Sequence, residues 1–159
     1  MERLWSPWRM RYIEAPHPRD EGCLFCEKLA LGDDAKAYIL TRSELAFVIL
    51  NAYPYNPGHL MVAPQRHAGE LEDLSAGELA EISSLLQRSV QALKQASAPE
   101  GFNVGLNLGR VAGAGVPGHL HWHVVPRWNG DTNFMAVLGD IRVLPEALDA
   151  TYAKLRPLF

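Results

Sequence analysis

Three histidines at alternate positions constrain this chain more than any other feature of its sequence. Residues 119–125 read HLHWHVV, so imidazoles alternate with apolar side chains. In an extended strand, side chains two residues apart lie on the same face, and the pattern predicts that the three imidazoles project together. Each imidazole needs a partner for its polar nitrogens, which makes a purely structural role unfavourable. The segment therefore predicts a strand that carries a functional site.

Two chemistries suit three imidazoles on one face. Neutral imidazole is a common ligand of transition metals, and it is also a nucleophile that can attack phosphorus while its neighbours stabilise the developing charge. The preceding segment, 105–118, is rich in glycine and exposes backbone N–H groups that suit phosphate oxygens. A G-x-G-x-x-G match at 113–118 leads into the predicted strand instead of opening a helix, so it does not indicate a dinucleotide-binding fold.

The rest of the sequence predicts an α+β domain. Ser75 and Glu78 form a capping box ahead of apolar residues at helical spacing, which predicts a long helix over 75–96. Five apolar, β-prone runs predict strands at 38–41, 45–50, 59–63, 102–108 and 119–125. Shorter helices are expected at 23–31 and 145–155. Because the long helix lies between the third and fourth strands, a mainly antiparallel five-stranded sheet is expected.

Composition limits the classes of partner. A length of 159 residues fits one domain, and a net charge of −3 provides no general attraction for nucleic acid, so any phosphate binding must be local. No apolar run approaches the ~18–20 residues that span a bilayer, and the N-terminus lacks the apolar core of a signal peptide. Residues 1–22, rich in proline, arginine and aromatics, predict a surface arm, and 23–159 a single domain. The only cysteines, Cys23 and Cys26, form one C-x-x-C, which favours a reducing cytoplasm.

HLHWHVV resembles the H-φ-H-φ-H-φ-φ signature of the histidine triad (HIT) superfamily of nucleotide hydrolases and transferases. The resemblance extends over most of the chain. Asn51, eight residues before His59, followed by LMVAP and His67, is similar to the nucleotide-binding half of that family, and 102–108 resembles the strand before its active-site loop. It implies a HIT-like fold with one long helix and a short C-terminal helix, a substrate that contains AMP, and a homodimer.

The resemblance also implies a mechanism. His121 would attack the α-phosphorus of a nucleotide and form a covalent nucleotidyl-histidine, which water or another acceptor then resolves. His123 and His59 would lie beside the phosphates, and His119 would complete the catalytic set. Asn107 would contact the phosphate oxygens.

Nucleotide contacts are implied for Asn51, Gly113 and Gly115. Asn51 matches the position that contacts the ribose hydroxyls, although the residues alone equally allow a role in the proline-rich turn that comes after it. The glycines would bring their backbone N–H groups to the phosphates.

The residues after the triad indicate the branch of the family. The motif P-R-x-x-G-D at 126–131 resembles the fragile-histidine-triad hydrolases, which split diadenosine polyphosphates. The run at 132–135, the AGAG loop and the tryptophan-rich arm look closer to bacterial diadenosine tetraphosphate phosphorylase-like proteins. Gly115 and Val116 stand where the hydrolases carry amide and hydroxyl side chains, so water and phosphate both stay open as acceptor. A phosphoramidase, a catalytically weak nucleotide-binding protein and a metal-dependent hydrolase are the alternatives.

Cys23 and Cys26 supply two of the four ligands of a zinc site. Related histidine triad proteins and galactose-1-phosphate uridylyltransferases use positions comparable to His67 and His119, which implies a Cys₂His₂ site here. With four protein ligands, the zinc would be structural and not required for the chemistry. Two reduced structural cysteines and a thiol redox pair are the alternatives.

Overall fold

The structure, a computed structural model, describes residues 22–131 and 146–159. The predicted N-terminal arm therefore lies outside the described residues except for its last position. The run at 132–135, which resembles the phosphorylase branch, also lies outside them.

Five strands form one sheet. The strands are β1 (Ile39–Arg42), β2 (Ala46–Leu50), β3 (Leu60–Pro64), β4 (Gly101–Leu106) and β5 (Trp122–Arg127). Their order across the sheet is β1-β2-β3-β5-β4, and each neighbouring pair is antiparallel. The predicted α+β class and the antiparallel five-stranded sheet are confirmed.

The helices are α1 (Leu24–Ala30), α2 (Asp34–Ala37), α3 (Ala76–Ser97) and α4 (Leu148–Leu155). The long helix α3 begins as predicted, because the Ser75 hydroxyl accepts from the Glu78 amide and the Glu78 carboxylate accepts from the Ser75 amide. Helix α2 was not predicted; its local signal is Asp33, whose side chain caps the Lys36 amide. None of the described helices has both the length and the apolar character needed to cross a membrane.

The two faces of the sheet are covered differently. Helix α3 packs on one face, where Ile82, Leu85 and Leu93 join the larger buried cluster. A smaller cluster forms around Phe25 of α1 and Phe47 of β2, whose ring centroids are 6.3 Å apart. The described N-terminal segment therefore closes the smaller core.

The histidine strand begins later than the sequence predicts. Strand β5 starts at Trp122, so His123 is the one triad member inside it, and the prediction of a strand over 119–125 is wrong at its start. The physical reason is that the partner strand β3 ends at Pro64, and the Leu120 amide donates instead to the Ala68 carbonyl, at 2.8 Å, beyond the end of β3. The first two histidines thus lie in the connection that leads into the strand.

Candidate functional site

His121 is buried and held in one orientation. Its exposed fraction is 5%, and its Nδ1 lies 2.8 Å from the backbone carbonyl oxygen of His119. Because a carbonyl only accepts, this contact places the ring proton on Nδ1 and the lone pair on Nε2. The Phe25 ring packs 4.9 Å from the His121 ring, centroid to centroid. Burial lowers the pKa of His121, which favours the neutral, nucleophilic form.

His59 and His123 form a hydrogen-bonded pair whose proton positions are set by a backbone amide. The Tyr55 N–H donates to His59 Nδ1 at 3.1 Å, so the proton of a neutral His59 lies on Nε2. That Nε2 is 2.9 Å from Nδ1 of His123, which therefore accepts. The proton of a neutral His123 is then on Nε2. The Tyr55 ring lies 4.6 Å from the His59 ring and covers it.

Three of the four predicted catalytic rings, those of His59, His121 and His123, are brought together, whereas the ring of His119 faces Cys23 and Cys26. The ring centroids of His121 and His123 are 5.0 Å apart, and those of His59 and His123 are 5.1 Å apart. Each ring is thus within contact distance of the next, although these histidines come from β5, from the residues before it and from the residue before β3.

The glycine-rich connection between β4 and β5 folds back on itself. The Asn107 side-chain amide donates to the Gly113 carbonyl at 3.4 Å. Gly113 has a φ of 96° and Gly109 a φ of 76°, backbone conformations that glycine adopts without strain. Gly115 comes directly after the buried Ala114, whose amide donates to the Gly109 carbonyl at 3.2 Å. Asn107, Gly113 and Gly115 therefore belong to one compact loop.

Asn51 makes the turn that the sequence allowed and also reaches the histidines. Its Oδ1 accepts from the Tyr53 amide at 2.8 Å, and its Nδ2 is 3.4 Å from His59 Nδ1. The contact with a ribose remains a prediction. The place of Asn51 in the turn, beside the histidine rings, is compatible with such a contact.

Four potential metal ligands meet at the other side of the triad. In the described part of the chain, one ligand atom from each of four residues lies within 4.8 Å of the others; the residues are Cys23, Cys26, His67 and His119. The Sγ of Cys23 lies 3.2 Å from Nδ1 of His119, and the Sγ of Cys26 lies 3.7 Å from the same atom and 3.5 Å from Nδ1 of His67. Ligand bonds of about 2.0–2.3 Å in a tetrahedron give ligand separations of about 3.3–3.8 Å. The cluster fits a tetrahedral metal site.

The ring of His119 is oriented as a metal ligand requires. Its Nε2 lies 2.9 Å from the Pro64 carbonyl oxygen, so the proton is on Nε2 and the Nδ1 lone pair faces the thiols. His119 thus serves two sites, with its ring in the metal cluster and its carbonyl on His121. The other two triad members are not part of that cluster, which argues against a metal-dependent hydrolase with the triad as ligands.

The sequence did not predict the contacts between Asn56, Arg127 and Asp131, which lie near the site. Their sequence signal was the P-R-x-x-G-D motif, which the sequence alone marks only as a feature of one branch. Arg127 and Asp131 form a two-point ion pair, with Nε–Oδ2 at 2.6 Å and Nη2–Oδ1 at 2.9 Å. The Asn56 side chain donates to Asp131 Oδ2 at 2.8 Å and to the Pro126 carbonyl at 2.9 Å. We call Asn56, Arg127 and Asp131 the acidic clamp. The Arg127 guanidinium holds the pKa of Asp131 well below its usual range.

Comparison with known proteins gives consistent matches. The HIT domain profile matches residues 33–130. A protein named AP-4-A phosphorylase from Mycobacterium tuberculosis (strain CDC 1551 / Oshkosh) is 46% identical over 158 residues, which covers 95% of this chain and 80% of that protein. Adenosine 5'-monophosphoramidase hnt1 from Schizosaccharomyces pombe is 30% identical over 128 residues, covering 80% of this chain and 91% of that protein.

Among solved structures, a similar fold is found in a crystal structure of a Zn-bound histidine triad family protein from Mycobacterium smegmatis. The two chains superpose with a TM-score of 0.70 at 29% identity, and the match covers 86% of this chain and 92% of the other.

Proposed function

The chain belongs to the HIT family, and on that basis we propose that it is a nucleotidyltransferase that cleaves diadenosine tetraphosphate and related dinucleoside polyphosphates, with inorganic phosphate as acceptor. The observation that carries the chemistry is the hydrogen bond from His121 Nδ1 to the His119 carbonyl, at 2.8 Å. It leaves a buried, neutral imidazole with its lone pair on Nε2, which is what nucleophilic attack on phosphorus needs.

The reaction has two displacements. His121 Nε2 attacks the α-phosphorus, the bond between that phosphorus and the bridging oxygen breaks, and ATP leaves with the electron pair. The ring then carries AMP on Nε2 and its proton on Nδ1, and the His119 carbonyl stabilises the positive charge of this adduct. A phosphate oxygen next attacks the same phosphorus, the phosphorus–nitrogen bond breaks, and ADP is released with the lone pair restored to His121.

Other residues hold the substrate. His123, with its proton on Nε2, donates a hydrogen bond to the phosphate chain as charge develops on the leaving oxygen. The backbone N–H groups around Gly113 and Gly115, with the Asn107 amide, bind phosphate oxygens. Asn51 binds the ribose hydroxyls.

The identity of the acceptor rests on a sequence similarity. The Mycobacterium tuberculosis relative, a phosphorylase by name, aligns with 95% of this chain at 46% identity. The triad chemistry alone is equally compatible with water. The choice of phosphate as acceptor is therefore tested separately from the cleavage reaction itself.

Product analysis by chromatography tests the proposal. The protein is incubated with diadenosine tetraphosphate, with and without inorganic phosphate. ADP and ATP that appear only with phosphate support phosphorolysis, whereas AMP and ATP formed regardless of phosphate identify a hydrolase and overturn the choice of acceptor. Replacing His121 by alanine should abolish both turnover and the covalent adduct while leaving the unfolding temperature near that of the unmodified protein. Retained turnover would refute its role as nucleophile.

A second candidate is a nucleoside phosphoramidase. It is favoured by the 30% identity with the adenosine 5'-monophosphoramidase. The covalent step would be the same, with an amine as the leaving group. Release of AMP from adenosine 5'-phosphoramidate, together with no cleavage of diadenosine tetraphosphate, would identify this activity instead.

The cluster of Cys23, Cys26, His67 and His119 is a structural zinc site in this proposal. Two thiolates and two imidazoles are ligands that zinc prefers, and four protein ligands leave no position for a reacting water. The zinc would tie α1 to the residues that lead into β5, and no step of the reaction needs it. The thiols also favour a reducing compartment, the cytoplasm.

A homodimer is part of the same proposal. Strand β4 is an edge strand, and Asn103, Val104 and Gly105 at its centre are exposed. Natural sheets seldom leave the backbone groups of such an edge unprotected, and a second copy would cover it. Sedimentation as a monomer at micromolar concentration would contradict this.

A further inference from the structure

We propose that the acidic clamp positions the reaction chemistry: Asp131, through Asn56, holds the turn that fixes the proton positions of His59 and His123. The inference rests on the proposed function in that it assigns His123 as the donor to the phosphate chain. Asp131 and Asn56 act through other residues and are positioning residues.

The clamp is anchored at the end of β5. The Asp131 carboxylate accepts from Arg127 at two points and from the Trp128 amide at 3.2 Å, in addition to the Asn56 side chain. Its side chain is only 10% exposed, whereas that of Arg127 is 45% exposed. A carboxylate with several donors and little exposure makes charge-assisted hydrogen bonds, which are stronger than neutral ones.

Asn56 connects this carboxylate to the histidines. Its two side-chain N–H groups are divided between Asp131 and the Pro126 carbonyl, so they fasten the turn to the last residues of β5. Its backbone carbonyl accepts from the His59 amide at 3.1 Å. The preceding residue, Tyr55, donates its amide to His59 Nδ1. Fixing Asn56 therefore fixes both ends of the turn that holds His59.

The proton positions depend on the donors at His59 Nδ1, of which the Tyr55 amide at 3.1 Å is closer than the Asn51 side-chain amide at 3.4 Å. While Tyr55 N–H faces His59 Nδ1, the His59 proton is on Nε2 and His123 must accept on Nδ1. If the turn moves, the Tyr55 amide no longer enforces this arrangement, and His59 is able to take the other tautomer. His123 then loses the donor that keeps its own proton on Nε2. Through His59, the clamp thus sets the position of the ring proton of His123.

Two variants test the clamp, and a third serves as a matched control. Asn56→Ala removes the link but leaves the Arg127–Asp131 pair, and Asp131→Asn removes the charge at nearly constant shape. Asn129→Ala is the control, since Asn129 is an exposed asparagine in the turn after β5 that carries Asp131, and its side chain makes no hydrogen bond to a described residue. Asn56→Ala also keeps the test valid if Asp131→Asn fails to fold.

Two readouts are needed. Both clamp variants should lower kcat roughly tenfold to hundredfold, the effect of a small misplacement of a reacting group, with KM within about twofold because no substrate contact is lost. ¹⁵N NMR of the histidine rings should show His59 protonated on Nε2 in the unmodified protein and in Asn129→Ala, and a mixture of tautomers in Asn56→Ala. A purely structural role would lower the unfolding temperature without changing the tautomers.

The outcomes separate the clamp from the proposed function. Unchanged tautomers, or an unchanged kcat, in Asn56→Ala overturn the clamp. The NMR readout needs no substrate, so a protein that fails to cleave diadenosine tetraphosphate but shows the tautomer change refutes the proposed function alone. The kcat readout is then repeated with adenosine 5'-phosphoramidate, and a loss of turnover there supports the clamp while no loss overturns it.

Discussion

On one side of the triad, the ring of His119 faces two thiols and His67. On the other side, the ring of His123 faces His59 and a turn fastened to Asp131. The first side joins Cys23 to His119, 96 positions apart, and its four ligand atoms lie around a common point. The second side uses ordinary hydrogen bonds and one ion pair, all supplied by the chain. In the proposed zinc site the first side would take an ion from outside, whereas the contacts of the second side all lie between groups of the chain.

This difference separates two tasks that the histidines share. The proposed zinc would hold together elements that the sequence places far apart, so its loss should be measured in stability. The acidic clamp holds protons in place, so its loss should be measured in rate. If the two sides have these separate roles, variants of the first side should change stability and zinc content, and variants of the second should change the rate.

The largest expected effect is the loss of metal. Cys26→Ser, or removal of zinc by a strong chelator, should lower the free energy of unfolding by about 2.7 kcal/mol or more, the contribution of a ligand present at a hundredfold excess over its dissociation constant. Elemental analysis should find about one zinc per chain in the unmodified protein and in Asn56→Ala, and much less in Cys26→Ser. A protein purified without zinc, and as stable with chelator as without, would show that the cysteines are only a reduced pair.

An intermediate effect is expected from mild acid. Metal sites release zinc as their thiolates and imidazoles take up protons, so zinc should leave by about pH 5. The pKa of Asp131 is lowered by Arg127 from the ordinary value of 3.8, so its contribution to stability is present above that value and is lost only as the pH falls through the lower, folded-state pKa. The ¹³C shift of the Asp131 carboxyl group should therefore stay that of a carboxylate from pH 7 to pH 4. Protonation of Asp131 in step with zinc release would show that the two sides are coupled.

The smallest effect is expected on the anchor next to the metal side. Glu78, buried at the start of α3, pairs with Arg66, which precedes His67; this pair and the Ser75 amide lower its pKa to about 2. Glu78→Gln should reduce the free energy of unfolding by about 1–2 kcal/mol at neutral pH, a value discounted because the Arg66 side chain is 52% exposed.

The pH dependence of this variant gives its own check. The difference from the unmodified protein is fully present above the ordinary pKa of 4.5 and should shrink as the pH falls toward 2. Glu72→Gln, at an exposed position, is the control and should change little. A loss of zinc or of kcat in Glu78→Gln would contradict a role limited to anchoring.

The sequence predicts what depends on neighbours along the chain. Ser75 and Glu78 announce the start of α3, and the apolar runs identify five strands because a strand needs one buried face. The start of β5 at Trp122 was not predictable in this way, since it is set by where β3 ends. The acidic clamp was missed for the same reason: Asn56 and Asp131 are 75 positions apart, and neither has a local pattern that indicates the other.

The metal cluster is an intermediate case. Cys23 and Cys26 are visible as a motif, but the choice of His67 and His119 as their partners came from resemblance and not from spacing. The roles of His121 and His123 likewise came from the family signature. The contacts that set their tautomers could not be predicted, because His121 bonds to a backbone carbonyl, which every residue has, and His123 bonds to His59, 64 positions away.

His119 contributes a side chain to one site and a carbonyl to the other. Every amino acid has that carbonyl, so a substitution at this position removes the imidazole while leaving an acceptor for His121. On the assignments proposed above, a descendant of this protein could lose the zinc, provided that other packing holds α1, and keep the hydrogen bond that orients His121. In evolutionary terms, the two roles of His119 are separable. Selection on its side chain acts on the proposed metal site, whereas the hydrogen bond to His121 uses the backbone carbonyl, which every residue has.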